Sequence, residues 1–103
     1  MADGTAKSLL DYLDNIVEKG RATKAAVNPI KIAFRRVVQV IDGEDWESVE
    51  VKSIDIDDYI KRFENLTNGQ YLSETLTTYK SRMTRGIGWY LHFLQTPGWT
   101  PNL

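Results

Sequence analysis

The chain has 103 residues, 42% of them hydrophobic and 26% charged, with a formal net charge of -1 and no cysteine. That composition fits one globular domain with one hydrophobic core, and it excludes disulfides and thiolate metal sites. No apolar run approaches the ~20 residues a bilayer-spanning helix needs, and Met1 to Ala6 lacks the basic-then-apolar order of a secretory leader, so a soluble, cytoplasmic domain is expected.

Residues 1–6 read as a flexible end. A first helix runs from about Lys7 to Lys19, with Leu9, Leu10, Leu13, Ile16 and Val17 on one side and Gly20 as its stop. A second begins at Thr23, a good N-cap, and continues to about Ile41. Its apolar face is Val27, Ile30, Ala33, Phe34, Val37, Val38 and Ile41; Asn28-Pro29 offers an alternative start, because proline suits a first turn. Between Asp42 and Ser53, Gly43 and the alternation Val49-Glu50-Val51 suggest a loop with a short extended piece, and one strand makes no sheet alone.

A third helix starts at Asp55 as cap, with Asp57 and Asp58 in the first turn, where the helix dipole favours negative charge. It reaches about Asn65 and buries Ile56, Tyr59, Ile60 and Phe63; Thr67 to Gln70 form a turn. The fourth helix follows, with Ser73 as cap and Leu72, Leu76, Tyr79, Met83, Ile87, Tyr90 and Leu94 recurring at spacings of three and four. Gly86 and Gly88 weaken a helix by about 1 kcal/mol each relative to alanine, which points to a close helix approach or a bend. Pro97-Gly98-Trp99-Thr100-Pro101 ends it, and residues 96–103 read as a linker or domain edge. The expected fold is all-α, a compact four-helix domain spanning residues 1–103. Leu13, Ile16, Phe34, Val37, Tyr59, Phe63, Tyr79, Met83, Ile87 and Tyr90 should form its core.

Charge is unevenly distributed. Residues 42–58 carry eight carboxylates against Lys52 alone, a net of -7, which leaves +6 for the remainder. From Ala22 to Ile41 there is no acid. On the second helix Lys24, Asn28, Lys31 and Arg35 follow spacings of four, three and four and so share one stripe. Thr75, Thr78, Arg82 and Arg85 make a second polar stripe on the fourth helix, with Ser81 and Trp89 on the same outer side. Cations and hydroxyls of this kind suit phosphate oxygens, and arginine also suits guanine edges.

The pattern L-S-x-T-L-x-x-Y-x-x-R of residues 72–82, continued by Tyr90-Leu91-His92-Phe93-Leu94, resembles a helix of the core-binding domain of tyrosine recombinases, the phage-integrase family. Ser8-Leu9-Leu10-Asp11-Tyr12-Leu13, Gly20-Arg21-Ala22-Thr23, Ala33-Phe34-Arg35-Arg36-Val37-Val38 and Ile54 to Ile60 look like the rest of that four-helix, SAM-like module. The resemblance implies a double-stranded DNA partner, with Lys24, Lys31, Arg35, Thr78, Arg82 and Arg85 as candidate contacts, and oligomers formed on DNA. It also implies a C-terminal catalytic domain in the full-length protein. The family's H-x-x-R motif is missing, since His92, the one histidine, is followed by Phe93-Leu94-Gln95. No catalytic residue, cofactor or metal is therefore expected here. The carboxylates of Asp42 to Glu50 lack the ligand order and glycine placement of a calcium loop. The competing expectation is a helical protein-interaction module that uses the acidic belt or the Trp89 face.

Overall fold

The computed structural model describes residues 4–101; the expectations for residues 1–3 and 102–103 lie outside them. Four helices form the domain: α1 (Ala6–Glu18), α2 (Lys24–Asp42), α3 (Ile56–Leu66) and α4 (Ser73–Gln95), with 3-10 turns at Gly43–Ser48 and Val51–Ser53. The start signals act through side chains. Thr5 accepts from the Ser8 amide, Thr23 from Ala26 and Asp55 from Asp58, each relieving one of the amides a helix start leaves unpaired. At the end of α1, Gly20 takes φ +73°. The Arg21 amide then reaches back to the Ile16 carbonyl at 2.8 Å and the Gly20 amide to Val17 at 3.0 Å, a paired closure that needs a residue free to go left-handed.

At the start of α4 the structure differs from the expectation. Leu72, not Ser73, holds the cap position of α4 and makes no side-chain cap bond; Ser73 is already helical. Leu72 is also 73% exposed, because it lies ahead of the helix and off its buried stripe. Pro29 lies inside an unbroken α2 and does not begin it. Proline has no amide hydrogen for the Ala25 carbonyl, a bond lost in the exposed first turn of α2, where such a loss costs least.

All ten residues expected in the core are buried, with Leu9, Val27, Ile30, Val38, Leu76 and others completing one cluster. α2 is central, packing on α1, α3, α4 and the first 3-10 turn. It comes close to α4 at Gly86, where an added Cβ would sit 2.6 Å from Ile30 Cγ2. Gly86 is therefore the close-approach glycine; Gly88 has nothing within 4 Å of such a Cβ.

The alternation Val49-Glu50-Val51 forms an extended piece whose partner is the start of the chain. The Ala6 amide donates to Val49 O and the Val51 amide to Gly4 O, both at 2.8 Å, around a single antiparallel bridge between Thr5 and Glu50. Val51 is thereby buried, at 1% exposure. The opposite end of the chain also packs. Trp99 stacks on His92 with ring centroids 4.2 Å apart, Tyr12 Oη donates to the Trp99 carbonyl at 3.3 Å, and Pro101 is buried. No helix among the described residues is long and apolar enough to cross a membrane.

Candidate functional site

The α2 stripe exists as expected, and its setting limits its charge. Lys24, Asn28 and Lys31 edge a depression shared with Asp14 and Glu18 of α1, and Lys31 Nζ is ion-paired with Asp14. Arg35 lies over the Trp46 ring, 6.0 Å from its centroid, a cation-π distance. Lys31 and Arg35 line a second depression of about 460 Å³ between α1, α2 and the first 3-10 turn, in which Lys7, Lys31 and Arg35 are balanced by Asp11, Asp14 and Glu47. This face is amphipathic, with Leu10, Ile32 and Trp46 among the charges, and its charged side chains sum to zero, with no cationic surplus for a phosphate.

On α4, Thr78 is exposed, but its hydroxyl donates to the Glu74 carbonyl at 3.0 Å. Thr77 and Thr84 donate in the same way to Ser73 and Lys80, at 3.0 and 2.8 Å. These hydroxyl hydrogens are committed to the helix, which leaves Thr78 with lone pairs that a phosphate oxygen would repel. Lys80 is ion-paired with Asp57 of α3 at 2.6 Å. Arg82 is half-buried and Arg85 exposed, and neither has an ion-pair partner among the described residues. Arg85 shares a shallow depression with Thr77, Lys80, Ser81 and Thr84, separate from those that hold Lys31 and Arg35.

What joins the two helices is a residue the sequence did not single out. Arg36, on α2, donates from Nη1 to Tyr79 Oη of α4 at 2.9 Å. Hydrogen bonding to that phenol holds the guanidinium above its ordinary, already high pKa, with Tyr71 adding to the effect. Arg36 also has no ion-pair partner among the described residues. Tyr79 is fixed by neighbours: Tyr71 and Phe63 lie 5.9 and 6.1 Å away, centroid to centroid. Arg82, three residues beyond Tyr79, falls on the same side of α4. The structure thus brings Arg36 and Tyr79 to one seam.

That seam lies in an acid-free part of the chain. α2 carries no carboxylate before Asp42, and no Asp or Glu occurs from Thr75 onward, so the helices in most extensive contact are those without acids over most of their length. The second acid-free stretch was readable in the sequence. The contact of Arg36 with Tyr79 was not, because it depends on the antiparallel register of α2 and α4 and has no spacing signature.

Elsewhere the acids are partly engaged. Tyr59 Oη donates to Asp42 Oδ2 at 2.9 Å; burial first, then that bond, pushes the Tyr59 phenol up to about 12. Burial likewise pushes Tyr12 up to about 12. Among the described residues, no three His, Cys, Asp or Glu side chains are grouped to hold a metal ion. Comparison with family models, curated proteins and solved structures returns no match.

Proposed function

We propose that this domain is the DNA-binding module of a phage-type tyrosine recombinase, holding duplex DNA for a separate catalytic domain and performing no chemistry itself. The observation that carries the reading is the α2/α4 pair, whose only acids are the terminal Asp42 and Glu74, with Arg36, Arg82 and Arg85 in no ion pair among the described residues. Phosphate affinity comes mainly from such cations releasing condensed counterions, and a local surplus of them outweighs the total charge. The four-helix order and the resemblance of residues 72–94 to the family's helix add to it. Lys31, paired with Asp14, and Thr78, whose hydroxyl is spent on Glu74, are weaker contributors than Arg82 and Arg85.

The test is fluorescence anisotropy of a labelled duplex across a salt series. Wild type should bind with a dissociation constant of roughly 10⁻⁴ to 10⁻⁶ M, the range of non-specific phosphate binding. An Arg82→Ala/Arg85→Ala variant should bind different sequences more weakly to a similar extent, with the salt slope reduced by about 1 per lost contact. Absence of wild-type binding at low salt removes the reading. The alternative is then a protein-interaction module, favoured by Ile32 and Val40 on α2, which are 52% and 41% exposed.

A further inference from the structure

We infer that Arg36 and Tyr79, flanked by Tyr71, form a clamp at the α2/α4 seam for one backbone phosphate of duplex DNA. The inference rests on the proposed DNA-binding reading and assigns part of that surface to two residues that are not among the contacts the resemblance implied. Its basis is a set of donors that lack acceptors. Arginine offers five N–H groups, and one bond from Arg36, 2.9 Å to Tyr79 Oη, is made within the described residues. Because Tyr79 Oη accepts that bond, its own hydrogen is left over, and it finds no acceptor among the described residues. The guanidinium of exposed Arg36 thus lies beside the phenol of largely buried Tyr79, and an oxygen anion reaching the seam is the chemistry that would satisfy both.

The donors are also held in place. Tyr79 is only 7% exposed, and its ring is packed between α2 and the Phe63 and Tyr71 rings. The tyrosine fixes the guanidinium, so little rotamer freedom remains to be lost on binding. A polyanion is favoured over a single carboxylate because the seam repeats its charge. Arg35 also borders a depression that it shares with Arg36, and Arg82 of α4 has no ion-pair partner among the described residues. Duplex DNA carries one charge per about 1.7 Å of axis, so a row of cations meets successive phosphates.

Two substitutions give the clamp a distinct signature in the anisotropy assay. Arg36→Gln removes a charge and its fork; binding should weaken about 10-fold, and the salt slope should fall by about 1. Tyr79→Phe removes one neutral donor and keeps every charge, so binding should weaken by about 3- to 10-fold with the salt slope unchanged. Thermal unfolding of each variant separates this from loss of fold. In wild type, the Arg36 Nε–Hε resonance should move when duplex is added. Unchanged affinity and slope in Arg36→Gln, or unchanged affinity in folded Tyr79→Phe, overturns the clamp. If these variants bind as wild type while Arg82→Ala/Arg85→Ala does not, the clamp fails and the DNA-binding reading stands. If wild type does not bind duplex, both fail. Movement of the Arg36 resonance with inorganic phosphate and not with duplex assigns a free-anion site and overturns the duplex assignment.

Discussion

Replacing Gly86 by alanine tests the helix contact on which the α2/α4 seam is built. Helix propensity alone favours the change by about 1 kcal/mol, since glycine is the poorer residue inside a helix. Packing opposes it: the new methyl would sit 2.6 Å from Ile30 Cγ2, and Ile30 is 2% exposed with little room to retreat. Overpacking of this kind costs about 1–3 kcal/mol, so a net loss near 1 kcal/mol is expected, or roughly 4–8 °C in Tm for a domain of this size. Gly88→Ala is the control, because that position is open; it should be neutral or stabilising by up to about 1 kcal/mol. Ile30→Ala alone should cost about 2–5 kcal/mol. In its background the Gly86→Ala penalty should vanish or reverse, because the methyl enters the vacated space, giving a coupling of about 2 kcal/mol. Urea denaturation of the four proteins in the cycle measures it. If Gly86→Ala stabilises as much as Gly88→Ala, the two helices are not in contact there.

Phe34→Ala should cost about 3–5 kcal/mol by denaturant titration, through lost burial and the cavity left at a position with 0% exposure; near-native stability would mean that Phe34 is not in the core. Thr23→Ala, which deletes a cap bond to the Ala26 amide, should cost about 0.5–2 kcal/mol, whereas Ser73→Ala should be close to neutral because Ser73 caps nothing; equal losses would contradict the assigned starts of α2 and α4. Tyr12 and Tyr59 hold their protons up to about 12 in the folded domain, against an ordinary 10.0. The folded state then keeps protons that the unfolded chain releases, so their contribution is complete below pH 10 and is lost as pH rises from 10 to 12. Denaturation midpoints should fall across that window, less steeply in Tyr12→Phe/Tyr59→Phe, and a midpoint equally pH-dependent in that variant would count against the assignment.

The sequence was legible where one local rule decides the outcome. Thr23 and Asp55 cap because a short oxygen-bearing side chain sits ahead of a periodic apolar run, and Leu76, Tyr79, Met83, Ile87 and Tyr90 are buried because they share a helix face. Legibility ended where two segments distant in the chain meet. Val51 looked like a loop residue and is buried because Val49 and Val51 pair with Gly4 and Ala6. Gly86 and Gly88 were indistinguishable until Ile30 was placed opposite one of them. The candidate site divides in the same way. The cations were visible as types and spacings, but their partners were not: Asp14 for Lys31, Trp46 for Arg35, the Glu74 carbonyl for Thr78 and Tyr79 for Arg36.

Those partners also account for how a chain of net charge -1 can present a basic seam. Carboxylates of the 42–58 segment are directed elsewhere: Asp42 to Tyr59, Asp57 to Lys80 and Asp58 to Arg62. None is ion-paired with Arg36, Arg82 or Arg85. The acids therefore act on a ligand at the seam through space, and their reach is set by salt. At 0.15 M the Debye length is about 8 Å, short beside a domain of 40 × 26 × 19 Å, and the local arginines dominate what a phosphate experiences. At 0.01 M it lengthens to about 30 Å, comparable with the whole domain, and the acidic belt then repels the same phosphate. The belt should accordingly flatten the rise of DNA affinity at the lowest salt while leaving affinity near physiological salt almost untouched. An acidic segment and a phosphate-binding seam are in this way compatible on one small domain.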